Sequence, residues 1–256
     1  MIYKTLSFKK AVLLVMVFGA AIALIVWALW SLGMDISQIV SGERLVPIYS
    51  VETQRKAVAL GINCAWEDED IPQILNTLEK YNAKATFFVV GEWCSRCPDS
   101  LKKIYDAGQE IGSHSDTHPD MSVLNEAEIA EELDGCAEKI AAVTGDKPLL
   151  FRPPSGAYSN TLIKTAKEMG YYTVQWSVDS IDWKGLTAEE IFERVTEKTK
   201  SGDIILLHSG ADHTAEALPA ILEKLTADGF ELVPVSELIY LENYTIDHAG
   251  RQHPMN

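Results

Sequence analysis

The pattern that most limits what this chain can fold into is a strict alternation of strand-like and helix-like segments between residues 56 and 241. Short apolar or β-branched runs at 56–63, 84–90, 110–113, 149–152, 172–178, 203–208 and 231–235 read as strands. Apolar residues recur at helical spacing over 71–81, 99–107, 125–143, 160–169, 187–200 and 214–227, and a short helix follows the last strand. Local signals agree. Asn125 is placed to cap one helix, Thr187 and Glu190 have capping-box spacing, and Gly170 and Gly229 stop two others. Strands that each feed a helix build a parallel sheet. Seven such units predict an α/β fold closed into a distorted (β/α)7 barrel, with a doubly wound open sheet as the alternative.

Residues 11–33 carry no charge and are mostly Ala, Val, Leu, Ile and Trp, long enough to cross a bilayer. Lys4, Lys9 and Lys10 precede the run and Asp35 follows it. The positive-inside rule then keeps residues 1–10 in the cytoplasm and puts everything after Met34 outside. Trp27 and Trp30 fall at the outer interface. A cleaved signal peptide is the competing reading, but the run exceeds the usual apolar core of one and no small-x-small site follows. The expected layout is a single-pass anchor at 11–33, a stalk at 34–54, a domain at 55–241 and a loose polar tail at 242–256.

The formal net charge is −15, with no acidic residue among the first 33. An outer part this acidic argues against nucleic acid or another polyanion as partner. Of the four cysteines, Cys94 and Cys97 form a CxxC that reads as a local disulfide, a redox pair or half of a zinc site. No second CxxC completes a four-cysteine site, and Cys136 falls in a helical pattern as a core residue.

In a parallel barrel the C-terminal ends of the strands converge on one face. Here nearly every such end carries a chemically able group. The first ends in Asn63-Cys64, with Trp66, Glu67 and Asp68 behind it. The third leads into His114 and His118, two imidazoles spaced to share a metal ion. The fourth ends in Arg152-Pro153-Pro154-Ser155-Gly156, the fifth leads into Asp179-Ser180-Ile181-Asp182-Trp183, and the sixth ends in His208. Glu67 and Asp68 read either as substitute carboxylates for the site or as solvated charges at a helix start.

Over residues 55–241 this order of motifs resembles the polysaccharide deacetylase family, carbohydrate esterase family 4, with its NodB homology domain. His114 to Pro119 is similar to the family's HSxxHP motif, Arg152 to Gly156 to RPPxG, Asp179 to Trp183 to DxxDW, and Leu206-Leu207-His208 to the end of LxLH. The anchor, Cys64-Ala65-Trp66 and Trp176-Ser177-Val178-Asp179 resemble the sporulation-associated branch. The resemblance implies hydrolysis of the acetamide C–N bond of N-acetylated cell-wall glycan, with zinc, or cobalt, as cofactor. His114 and His118 would hold the metal, which would hold the attacking water. Backbone at Ser155 would help stabilise the oxyanion, and Arg152 would position the base. His208 would protonate the leaving amine, oriented by Asp182 or Asp179. Trp183, Pro153, Ser155 and Trp66 would line the sugar groove.

The first motif departs from the pattern. The family reads TFDDG, and this chain reads Gly61-Ile62-Asn63-Cys64-Ala65. Asn63 stands where the base is expected and cannot take a proton from water. Cys64 stands where a metal carboxylate is expected, either as a thiolate ligand of zinc or as a buried thiol. The alternative to a working deacetylase is therefore a pseudoenzyme that keeps a glycan groove as an envelope component. A membrane redox protein built on Cys94 and Cys97 is a weaker third reading, since the thioredoxin-like context is missing.

Overall fold

A run of eight consecutive buried residues, Ala57–Cys64, forms the central strand. Strands buried on both faces belong to parallel sheets covered by helices, and the rest of the chain arranges itself accordingly. The structure, a computed structural model, describes residues 16–18, 20 and 44–255. In chain order the strands are β1 (Ser50–Val51), β2 (Ala57–Cys64), β3 (Ala85–Val89), β4 (Glu110–Ser113), β5 (Leu150–Phe151), β6 (Tyr172–Thr173), β7 (Val178–Asp179), β8 (Ile204–His208), β9 (Glu231–Val233), β10 (Tyr244–Ile246) and β11 (Arg251–Pro254). The helices are α1 (Ile71–Lys80), α2 (Gly91–Arg96), α3 (Pro98–Asp106), α4 (Glu126–Thr144), α5 (Asn160–Glu168), α6 (Ala188–Thr196), α7 (Thr214–Ala227) and α8 (Val235–Leu238).

The main sheet is parallel, in the order β6-β5-β4-β3-β2-β8-β7, with β9 beside the first half of β2. Its register brings the strand ends to one rim. Asn63 lies opposite Phe88 and His208, Ser113 opposite Val89 and Phe151, and Asp179 opposite Leu206. Side chains alternate across β2. Val58, Leu60, Ile62 and Cys64 pack outward against Ile71, Ile74 and Leu78 of α1 and Leu218, Ile221 and Leu222 of α7. Ala57 and Ala59 face the interior with Phe88, Leu150 and Val174. The capping boxes form as the sequence predicts, Asn125 with Glu128 on α4 and Thr187 with Glu190 on α6.

Three expectations are corrected. The strand expected at 172–178 is two strands. Its first half, β6, bonds one edge of the sheet and its second half, β7, the other. Residues 174–177 cross between the edges, with Val174 donating to Phe151 O, Gln175 to Ile48 O and Ser177 to Ile204 O, at 2.9, 2.7 and 3.0 Å. The sheet is therefore curled and seamed rather than a ring of seven continuous strands. The helix expected at 99–107 is preceded by another, α2, because Pro98 restarts the chain after Cys97. Lastly, neither the end of the stalk nor the tail is loose. Ile48 is buried and bridges to Val174, while β1, β11 and β10 form a second sheet. Buried Gln252 bonds both the N–H and the carbonyl of Tyr240. The folded unit spans Leu45–Asn256. The membrane span expected at 11–33 falls, apart from helical residues 16–18 and 20, outside the described residues. Among those described, no helix is long and apolar enough to cross a membrane.

His253 clasps this second sheet. Its Nδ1 reaches Glu52 at 2.6 Å and its Nε2 reaches Asp247 at 3.0 Å. Hydrogen bonds to Asp247 and Glu52 raise the His253 pKa above 6.5, and the His253 bond holds Asp247 at about 2. A raised histidine pKa gives stability that is complete below the unfolded value and fades as pH rises through the folded one. The Tm difference between wild type and His253→Gln should be largest in mildly acidic buffer and shrink as pH rises past neutrality. Thermal melts across pH check this, and a difference that grows with pH would contradict it.

Candidate active site

The site is organised around a buried cation. Arg152 leaves the end of β5 and is fully buried. Its Nη1 donates to Gly61 O at 3.1 Å and Asn63 Oδ1 at 3.0 Å, and its Nη2 donates to Gln175 O at 3.3 Å. The guanidinium lies over Phe88, 4.0 Å from the ring centre. Burial lowers its pKa to about 9, which leaves it charged at neutral pH. Gly61 makes the seat possible, because a Cβ there would run into the guanidinium. The interior face of β2 thus reads Ala57, Ala59, Gly61, Asn63: small residues below, then the arginine's partner.

Asn63 is held from two sides. Since Oδ1 accepts from Arg152, Nδ2 faces His208 Nε2, at 3.4 Å. The other imidazole nitrogen, Nδ1, is 2.7 Å from Asp182 Oδ1. Asp182 also accepts from the His208 backbone N–H at 2.7 Å and from Thr214 Oγ1 at 2.6 Å. Burial pushes the Asp182 carboxyl upward, but the hydrogen bonds and charge of His208, with Thr214, outweigh it and the net shift is down. The carboxylate fixes Nδ1 as the protonated nitrogen. Every donor then runs one way, from Arg152 to Asn63, Asn63 to His208 and His208 to Asp182. Nε2 is left accepting from an amide where a base would have accepted from water.

His114 and His118 meet edge to face, with ring centres 5.0 Å apart. His114 is buried, and its Nδ1 is 2.6 Å from Arg152 O. A carbonyl only accepts, so Nδ1 carries the proton and Nε2 keeps its lone pair. Burial holds the His114 pKa well below 6.5 and lowers that of His118. Two neutral imidazoles, one of them oriented by a carbonyl, fit the metal that the motif implies. The third donor does not. Cys64 follows Asn63 on β2 and so faces the opposite side, buried among Ile71, Ile74 and Trp93. Burial pushes its thiol up to about 12. Among the described residues no group of three His, Cys, Asp or Glu side chains could hold one ion. The expectation of Cys64 as a ligand is therefore not met. The donor set is one short of the usual catalytic zinc site.

Other expected residues sort as follows. Asp182, not Asp179, orients His208. Asp179 Oδ1 instead accepts from Ile181 N at 2.9 Å, supporting a residue with φ of 53°. Glu67 is exposed, and Asp68 is turned to Ser100 Oγ at 2.6 Å, so neither substitutes for the base. Pro153 is buried beside Arg152, and Ser155 is exposed with φ of 54°. Trp66 stacks on His208, with ring centres 5.2 Å apart and planes at 26°. Its loop is pinned by Arg96, which donates to the carbonyls of Ala65 and Trp66. Trp66 and Trp183 are 43% and 51% exposed, unusual for tryptophan, and Trp183 directly follows Asp182 in the chain. Thr214 and Gln175 were missed in the sequence. Both lie outside any motif and act through contacts distant along the chain.

The first part of the described domain, residues 50–174, matches the Polysaccharide deacetylase family model. A peptidoglycan-N-acetylglucosamine deacetylase of Bacillus cereus is 38% identical over 197 residues, covering 75% of this chain and 92% of that protein. The chain belongs to the polysaccharide deacetylase family. It is 40% identical to the uncharacterized protein YlxY of Bacillus subtilis, a match that takes in 75% of this chain and 60% of YlxY. Among solved structures, wild-type BA3943 of Bacillus anthracis, described as a CE4 family pseudoenzyme, is 39% identical. It superposes with a TM-score of 0.73, over 75% of this chain and 68% of that one. The Bc1960 peptidoglycan N-acetylglucosamine deacetylase superposes with the same TM-score of 0.73 at 31% identity, over 79% and 97%. The curled parallel sheet is the NodB-type fold that the motifs imply.

Two predictions follow from this geometry. Asn63→Asp gives the buried guanidinium a charged acceptor in place of a neutral one. The gain should be about 1 kcal/mol, or roughly 2–4 °C in Tm; calorimetry showing a fall would contradict it. Burial raises the pKa of Cys64, Cys94 and Cys136, and Cys97 alone among the cysteines is partly exposed. The Cys97 pKa is also raised, by burial and then by Asp68, so a thiol reagent should label Cys97 first but slowly in native protein, and all four cysteines only in denaturant.

Proposed function

We propose that this domain binds N-acetylated peptidoglycan sugars in a deacetylase groove and that hydrolysis there is disabled at Asn63. The observation behind this reading is the position of the Asn63 amide, which donates toward His208 Nε2 where a carboxylate base is required. Loss of a general base costs about 10²–10⁴-fold in rate. The incomplete donor set at His114 and His118 removes the second requirement, a firmly held metal. Recognition groups are present: exposed Trp66 stacked on the oriented His208 ring, and exposed Trp183 next in sequence to Asp182. The peptidoglycan deacetylases of Bacillus among the relatives support the substrate class. A BA3943 mutant described as having restored enzymatic activity supports the view that such a site remains close to a working one.

The uncharged run at 11–33 supports an anchored, extracytoplasmic location beside the wall polymer. The residues of the first motif and Trp176 support the sporulation-associated branch. A second reading, a competent deacetylase, draws on the intact His208–Asp182–Thr214 arrangement.

The test compares wild type with the Asn63→Asp, Cys64→Asp double variant on N-acetylglucosamine oligomers and purified peptidoglycan. Position 64 is the last residue of β2, so an aspartate there, costly among Ile71 and Ile74, is free to turn off the strand toward a metal on the imidazoles. Wild type should quench tryptophan fluorescence on binding glycan while releasing acetate only at background. The double variant, loaded with zinc or cobalt, should release acetate in a chelator-sensitive way. Chelator-sensitive turnover by wild type at the variant's rate would overturn the disabled reading and establish the competent one.

A further inference from the structure

The turn that carries the histidine pair follows an unfavourable path. Ser115 and His118 have φ of 69° and 61°, in the left-handed region that residues with a Cβ avoid. Within the turn, Ser115 Oγ accepts from His118 N at 2.9 Å. The first residues of α2 add two bonds, Gly91 N donating to Ser115 O at 3.0 Å and Glu92 N to Asp116 O at 2.9 Å, and further support comes from α4, outside the barrel. Glu132 Oε2 accepts from the backbone N–H groups of Asp116 and Thr117, both at 2.8 Å, and its Oε1 accepts from Thr117 Oγ1 at 2.7 Å. Two turns further along the same helix, Lys139 Nζ holds Asp116 Oδ1 at 2.6 Å. Gly91 and Gly135 leave the space that Asp116 occupies, since a Cβ on Gly91 would collide with its carboxylate and one on Gly135 would crowd it. One carboxylate thus absorbs three donors from two consecutive residues, between the two left-handed positions.

We infer that Glu132 is a positioning residue for the His114–His118 pair. Its carboxylate fixes the Asp116–Thr117 peptide, and that peptide fixes where His118 stands relative to His114. It touches neither imidazole and acts only through the turn. Hydrogen bonds to a charged acceptor are the stronger kind, and three on one side chain suffice to hold backbone that would otherwise relax. The functional consequence rests on the reading of His114 and His118 as a ligand pair; the geometric claim does not.

The experiment uses NMR on the metal-free, glycan-free protein carrying Glu132→Ala or Glu132→Gln. Glutamine keeps an oxygen for both amides and can donate to Thr117 Oγ1. In E132A, amide exchange at Asp116 and Thr117 should rise about tenfold beyond any change in β2 and β3, the response to losing a hydrogen bond to a charged acceptor. The ring-to-ring contact between His114 and His118 should disappear. E132Q should keep both signals. If E132A does not fold, E132D, too short to reach both amides, takes its place. Retained protection and ring contact in E132A overturn the inference, as does equal damage in E132Q or an exchange increase spread evenly over the core. Added to the Asn63→Asp, Cys64→Asp protein, E132A should also abolish acetate release and E132Q should not. If that double variant is inactive by itself, the proposed function fails and the NMR result still decides the role of Glu132.

Discussion

A guanidinium in a dry interior draws hydrogen-bond acceptors toward it, and that demand shapes this barrel from within. Arg152 takes carbonyl oxygens from β2 and from the segment that crosses the seam, so both must come close to it. Its guanidinium carbon lies 4.0 Å from the centre of the Phe88 ring, so that ring of β3 must face inward. Its own carbonyl orients His114. One residue therefore links the closure of the sheet, the small side chains inside β2 and the tautomer of a candidate metal ligand. A buried charge of this kind is worth little as a source of stability unless all its bonds are made. Here Nε has no partner, and the residue matters for the positions that Nη1 and Nη2 impose on β2 and on the crossing segment.

The same economy underlies the proposed loss of hydrolysis. In a working hydrolase some acceptor must be left open, so that bound water has a partner to give a proton to. Here the amide of Asn63 closes the gap, and the hydrogen-bonded chain from Arg152 to Asp182 is complete without substrate. Such a chain leaves no acceptor at position 63 for a water proton. The carboxylate form would invert the middle of the chain: position 63 would accept from both neighbours, and His208 would become the donor.

How much of this was legible in the sequence follows from what kind of contact each part depends on. Strand ends, caps and helix faces depend on neighbours a few residues away, so the alternation, the Asn125 cap and the rim bearing His114, Arg152 and His208 were all readable. The split of 172–178 was not, because nothing in Tyr172–Asp179 reveals that its two ends bond opposite edges of one sheet. The tail was misjudged because Arg251–Pro254 is polar. It is ordered by Gln252 and His253, whose partners lie at Tyr240 and Glu52. Asp179 and Asp182 sit in one motif, and only the fold distinguishes the turn support from the histidine partner. The position of Cys64 was available in principle. Adjacent residues on a strand face opposite ways, so a chain that sends Asn63 inward sends Cys64 out.

The collision that a side chain at position 61 would have with Arg152 bears on how relatives of this chain should be sorted. Glycine and arginine are tied to each other by packing, so selection for folding alone is enough to keep the pair. Possession of the arginine motif therefore reports that a sequence makes this barrel and says nothing about turnover. The informative letter is the residue at position 63, which the core tolerates as either amide or acid. A catalogue of these domains that scores motifs by number will merge silent members with active ones, whereas one that reads that single side chain will separate them.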